Sequence, residues 1–171
     1  TTFWFVLRLP NAARDPRSVL AAPTPAPAEA RLRVLIEEDN EINQIVVTEL
    51  LQEHGFECEV VGNGREAVER AMSGHPDVVL MDCQMPVMDG FEATRRIREI
   101  ERERAVTSPL PIIALTANAV KGDSELCLAA GMTAYQSKPI DPLKLFEAIR
   151  AVTTSRRSAA GTSSPQLAPK K

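Results

Sequence analysis

The sequence is poor in aromatic residues, with one Trp, one Tyr and five Phe among 171 residues. Binders of single-stranded nucleic acid stack bases on such rings, so that class has little to build with here. The formal net charge of −3 gives no pull toward nucleic acid or an anionic membrane surface either. Cysteine is scarce: Cys58, Cys83 and Cys127 are an odd number, widely spaced, with no CxxC pair to suggest zinc. They read as reduced thiols in a cytosolic setting. No apolar run approaches the ~20 residues that a membrane-spanning helix needs. A secretory signal is not indicated, because the opening apolar run is short and Arg8 follows it instead of preceding it.

What is present divides into four stretches. The opening "TTFWFVLRLP" alternates like a strand and stops at Pro10. A strand without neighbours leaves its backbone groups unpaired, so residues 1–10 read as a piece of something larger. Residues 11–30, with Pro16, Pro23, Pro25 and Pro27 among alanines, read as a linker. Residues 154–171, rich in Ser, Ala and Pro, read as a disordered tail. The 44 % apolar content is sufficient for a core, which falls in residues 31–153.

That central stretch alternates regularly. "RLRVLIEE", "FECEVV", "PDVVLMD", "LPIIALTA" and "MTAYQSK" read as strands. Between and after them come "NEINQIVVTELLQEHG", "NGREAVERAMSG", "DGFEATRRIREIERER", "NAVKGDSELCLAAG" and "DPLKLFEAIRAV", which read as helices. Asp89 is placed to cap the third helix and Pro142 to start the last. The apolar period of the first helix runs through Ile42, Ile45, Val46, Leu50 and Leu51. Five βα units predict an α/β fold, a doubly wound parallel sheet with helices on both faces.

Ligands of such sheets bind beyond the carboxyl ends of the strands. Glu38 and Asp39 follow the first strand, Asp82 ends the third, Thr116 the fourth, and Lys138 follows the fifth. Carboxylates meeting in one crevice repel, and a divalent cation or a lysine offsets that. Oxygen ligands with room for water favour Mg²⁺.

The segments "VLIEEDNEINQ", "VLMDCQMPVMDGFEATRRIR", "ALTA" and "SKPI" resemble, in order and spacing, the receiver domain of two-component response regulators. The resemblance spans about residues 31–153 and implies a flavodoxin-like (βα)5 sheet with strand order 2-1-3-4-5. It implies that Asp82 accepts a phosphoryl group from a phosphohistidine. Glu38, Asp39, Asp82 and the backbone carbonyl of Gln84 would hold Mg²⁺, and Lys138 would meet a phosphoryl oxygen. Thr116 and Tyr135 would form a switch pair, and Gln84, Ala117 and Asn118 would tune the lifetime of the phosphate. The Lys138–Pro139 bond is a candidate cis peptide. Partner contact would use the first helix around Asn43, Gln44 and Val47.

Glu37 departs from the small or apolar residue that is usual there; it either adds negative charge near the metal or faces outward. The arginines of the third helix read as a solvated, salt-paired face. Residues 1–10 are similar to the last strand of a histidine kinase ATP-binding domain, which implies a receiver at the C-terminal side of a hybrid sensor histidine kinase. On that reading the kinase core is the phosphodonor, a histidine phosphotransfer protein is a further partner, and the fragment is cytoplasmic with no kinase activity of its own. The competing readings are an interaction module that never carries phosphate, and a Mg²⁺-dependent phosphatase working through an aspartyl phosphate. The latter would need a general acid and a substrate cap.

Overall fold

The computed structural model describes residues 31–85, 88–117 and 121–161, with the side chains of 121–123 and 159–161 left aside. The expectations for residues 1–30, for Asn118 and for the last ten residues fall outside the described residues. Strands and helices alternate as β1 (Arg33–Glu37), α1 (Glu41–Glu53), β2 (Glu57–Val61), α2 (Gly64–Ser73) and β3 (Val78–Asp82). They continue as α3 (Gly90–Glu103), β4 (Ile112–Thr116), α4 (Lys121–Ala130), β5 (Ala134–Ser137) and α5 (Pro142–Gly161). All strand pairs are parallel, in the order β2-β1-β3-β4-β5. This is the doubly wound sheet expected from the sequence.

The central strands explain why. β3 (Val-Val-Leu-Met-Asp) and β4 (Ile-Ile-Ala-Leu-Thr) are buried along their whole length. A parallel strand covered on both faces reads as a continuous apolar run. The edge strands β2 and β5 are only partly buried. Side chains alternate between two cores. Leu35, Val79, Met81 and Ile112 meet Ala67, Ile97 and Cys127 from α2, α3 and α4. Val34, Ile36, Leu80 and Ile113 meet Val47, Leu51, Leu145 and Ile149 from α1 and α5. Each buried aliphatic side chain of this size contributes about 1.5–3 kcal/mol.

The helices start where the sequence provides caps. Asn40, Asn63 and Asp89 precede α1, α2 and α3, and each accepts hydrogen bonds from amides of the first turn. Gly90 opens α3 so close to the end of β3 that a Cβ there would collide with the Asp82 carbonyl. No described helix is long and apolar enough to cross a membrane.

Three features change or add to the sequence reading. Ile42, Ile45 and Val46 are 71, 57 and 59 % exposed, whereas Val47 and Leu51 are buried. α1 carries two apolar stripes, and the sheet takes only one. The last helix runs to Gly161, past the point where a tail was expected. Its residues 143–160 contain no Pro or Gly to stop it. This extension is anchored: Arg156 Nη1 donates to the carbonyls of Pro76 and Asp77 at 3.2 and 3.3 Å, and Ser108 Oγ donates to the Arg156 carbonyl at 3.3 Å. Where the chain enters β1, the Arg33 amide donates to Asp77 Oδ2 at 2.9 Å.

The third change concerns the arginines of α3. Arg96 pairs with Glu99 on the surface as expected, but Arg98 turns inward. It donates to Glu101 Oε2 at 2.6 Å, to the Leu110 carbonyl at 2.8 Å and to the Gly131 carbonyl at 2.9 Å. Glu101 Oε1 accepts the Leu110 amide at 2.5 Å. Glu101 is only 6 % exposed. The pair ties the end of α3 to the entries of β4 and β5.

Candidate functional site

The register brings the polar strand ends level at one edge. Glu37 stands opposite Met81, Asp82 opposite Leu115, and Thr116 opposite Ser137. β1 therefore delivers Glu38 and Asp39 beside Asp82. Glu38 and Asp82 are buried, and Asp39 is exposed. One carboxylate oxygen from each of these three acids lies within 4.8 Å of the others. Lys138 Nζ enters from beyond β5 and donates to Glu38 Oε2 at 2.7 Å and to Asp82 Oδ2 at 2.5 Å. The Gln84 amide donates to Asp82 Oδ1 at 3.0 Å. The Lys138–Pro139 peptide is cis, and the Lys138 amide donates to the Thr116 carbonyl at 2.7 Å.

The electrostatics follow from burial and crowding. Burial raises the Asp82 carboxyl above its ordinary value, and the Lys138 ammonium and Gln84 amide offset part of the rise. For Lys138, burial alone would lower the pKa. Its hydrogen bonds to Asp82 and Glu38 outweigh that and raise it, so the side chain stays an ammonium. The cluster holds more negative charge than one lysine neutralises. Hard oxygen donors with surplus negative charge and an exposed member, Asp39, fit a divalent cation that keeps some of its water.

Glu37 is fully buried, so it does not face outward. It shares the face of β1 that carries Leu35. Neither of its carboxylate oxygens has a hydrogen-bond partner. Burial, then the Asp82 charge, push its pKa to about 8; the Asp82 amide lies near enough to offset part of this without bonding geometry. The signal was present in the sequence. The period of two places residue 37 on the same face as Leu35, inside an apolar run.

The other expected residues divide. Thr116 is buried at the end of β4, beside the Lys138 backbone. Gln84 and Ala117 are exposed. Tyr135 is 47 % exposed on β5, with its ring on the surface. Val47, expected in a contact surface, is core. Asn43 and Gln44 reach the site directly: Asn43 Nδ2 donates to Glu38 Oε1 at 2.8 Å, and Gln44 Nε2 to the Glu38 carbonyl at 2.7 Å. Sequence reasoning placed both only in a docking surface. Their spacing from Glu38, one turn into a capped helix, was the available clue.

The family model of the response regulator receiver domain matches residues 34–150. The chain belongs to this family. Among curated relatives, hybrid signal transduction histidine kinase B of Dictyostelium discoideum is 44 % identical over 115 residues, which is 63 % of this chain and 6 % of that protein. The chain thus spans a small part of that relative. Among solved structures, the receiver domain of the sensor histidine kinase PA1611 from Pseudomonas aeruginosa is 42 % identical. Its TM-score is 0.64, covering 73 % of this chain and 99 % of that one, and it was crystallised with magnesium in its active-site cleft. The receiver domain of Ssk1, in complex with the Saccharomyces cerevisiae histidine phosphotransfer protein Ypd1, is 32 % identical. Its TM-score is 0.70, with 74 and 91 % of the two chains covered. The chain is therefore a receiver domain of two-component phosphorelay signalling, and the acidic cluster described above lies at the end of the receiver sheet where such folds bind ligands.

Proposed function

We propose that this receiver takes a phosphoryl group onto Asp82 from a phosphohistidine. The observation that carries the reading is the buried Asp82 carboxylate, bonded to Lys138 at 2.5 Å and crowded by Glu38 and Asp39. A carboxylate oxygen of Asp82 attacks phosphorus, the P–N bond breaks, and the imidazole leaves with the electron pair and takes up a proton. The Lys138 ammonium pairs with a phosphoryl oxygen as charge gathers there. Glu38, Asp39, Asp82 and the Gln84 carbonyl would hold Mg²⁺, and the magnesium in the related PA1611 receiver supports that choice. When bound, the ion neutralises charge on the transferring phosphoryl group. Thr116, at the end of β4, offers its hydroxyl to the phosphorylated Asp82, and Tyr135 on the neighbouring strand turns inward as the partner of that switch. Gln84, Ala117 and Asn118 border the approach of water and set how long the phosphate lasts.

The phosphodonor in this reading is the kinase core of a hybrid histidine kinase, with residues 1–10 as the end of its ATP-binding domain and 11–30 as linker. A histidine phosphotransfer protein is the next partner, as in the Ssk1–Ypd1 pair. It would dock on α1, where Ile42, Ile45 and Val46 are exposed beside Asn43. The location is cytoplasmic.

The test is intact-mass measurement after incubation with Mg²⁺ and acetyl phosphate. One added phosphoryl group is expected, absent with EDTA and in Asp82→Asn. Label that persists in Asp82→Asn moves the acceptor elsewhere. Release of phosphate over many cycles from simple phosphoesters would favour the phosphatase reading. If label appears with neither acetyl phosphate nor a phosphorylated kinase, the interaction-module reading replaces this one.

A further inference from the structure

Glu38 is held by three side chains. Lys138 Nζ donates to Oε2 at 2.7 Å, Asn43 Nδ2 to Oε1 at 2.8 Å, and Gln44 Nε2 to the backbone carbonyl at 2.7 Å. The lysine belongs to the site already described; the two amides come from the first turns of α1. Their placement is not incidental to the helix. Asn40 caps α1, its side chain accepting the Ile42 and Asn43 amides at 2.9 and 3.3 Å, which fixes where residue 43 points.

We propose that Asn43 is a positioning residue for the metal-binding carboxylate of Glu38, with Gln44 steadying the backbone beneath it. The inference rests on the reading of Glu38 as a metal ligand. With Lys138 as its one side-chain donor, the Glu38 carboxylate is free to pivot about that bond and to close on the ammonium. A second donor on the opposite oxygen fixes the plane of the carboxylate. Each oxygen accepts two hydrogen bonds or ligands, so one acceptor position remains on each for a cation and its water. The chemistry of the donor matters too. An amide donates without bringing charge, so the negative potential of the acidic cluster is kept for the cation. A lysine or arginine at position 43 would compete with it. Carboxylates that ligate metals are themselves held by such outer hydrogen bonds, whose loss typically weakens metal binding about 10–100-fold.

Asn43 is exposed, so a pure docking role is the alternative, and metal titration without any partner separates the two. The measurement is calorimetric titration of Mg²⁺ into the full chain and into Asn43→Leu. That change is nearly isosteric, removes the donor and favours the helix, and a thermal melt checks the fold. The expected result is Mg²⁺ affinity lowered about 10–100-fold in Asn43→Leu. Asn43→Gln, which keeps the amide, should restore part of the loss. Gln52→Leu, the same kind of change at the exposed far end of α1, should leave the affinity as in the parent. Labelling by acetyl phosphate should need more Mg²⁺ in Asn43→Leu but approach the parent rate at saturation. Unchanged Mg²⁺ affinity in a folded Asn43→Leu overturns the proposal and leaves Asn43 to docking alone. Absence of Mg²⁺ binding by the parent chain overturns the metal-site reading first, and this inference with it.

Discussion

The receiver buries carboxylates at both ends of its sheet, and the two ends treat them differently. At the entry to β4, Glu101 is matched by Arg98, and its second oxygen accepts the Leu110 amide. The Arg98 guanidinium also donates to two carbonyls. At the carboxyl edge, Glu38 and Asp82 share Lys138 with Asp39 close by. Glu37 lies beneath them with both oxygens unpartnered. The first cluster is balanced and closed, so it holds elements in place. The second carries more negative charge than its one lysine offsets, so its chemistry suits a cation. Low dielectric magnifies both conditions: it strengthens the closed pair and makes the open one costly.

Breaking the closed pair should have the largest effect on stability. Arg98→Ala leaves Glu101 buried without its counter-charge, which typically costs about 3–5 kcal/mol. Urea unfolding measures this, and acetyl phosphate labelling of the folded fraction should persist. Completing the open cluster acts in the opposite direction. Mg²⁺ at about a hundred times its dissociation constant should raise stability by about 2.7 kcal/mol. The thermal shift should survive in Arg98→Ala and shrink in Asp82→Asn. Equal shifts in the parent and Asp82→Asn would show that Mg²⁺ binds elsewhere.

Glu37 sharpens the contrast further. Its pKa stands at about 8 in the folded chain against an ordinary 4.5. The folded state thus binds a proton that the unfolded state releases, and stability falls as pH rises from about 4.5 to about 8. Glu37→Met removes the ionisable group and the orphan oxygens at similar volume. It should stabilise the chain by about 1–3 kcal/mol, more at alkaline pH, and flatten the pH profile of the melting temperature. The smallest effect belongs to Tyr135. Its ring is on the surface, so Tyr135→Ala should change stability by about 0.5 kcal/mol or less, measured by the same melts. A loss comparable to that of a core residue would place the ring inside.

The same contrast explains what could be read in the sequence. The strands were legible because β3 and β4 are apolar up to their last residue, and the site was legible because polar residues end or follow four of the strands. Arg98 was not, because on a helix rich in Arg and Glu nothing local marks which cation finds a buried partner; Glu101 and the carbonyls it meets are set by tertiary packing. Ile42, Ile45 and Val46 helped to mark α1 as a helix, yet helical spacing does not say which of two apolar stripes the sheet will take. The length of α5 was underestimated because Ser, Thr and Arg resemble tail composition, whereas the contacts of Arg156 and Ser108 that secure it come from distant loops. Glu37 was left open because a strand buried on both faces gives an acid no outward side, and that burial depends on helices elsewhere in the chain.

Arg33, where the chain enters the sheet, and Arg156, near the end of α5, both bond to the segment around Asp77 that leads into β3. The first strand and the last helix are thus held by one short segment at the end of the sheet away from Asp82. A disturbance of that segment would loosen both at once, and would do so at the opposite end of β3 from the phosphoacceptor candidate.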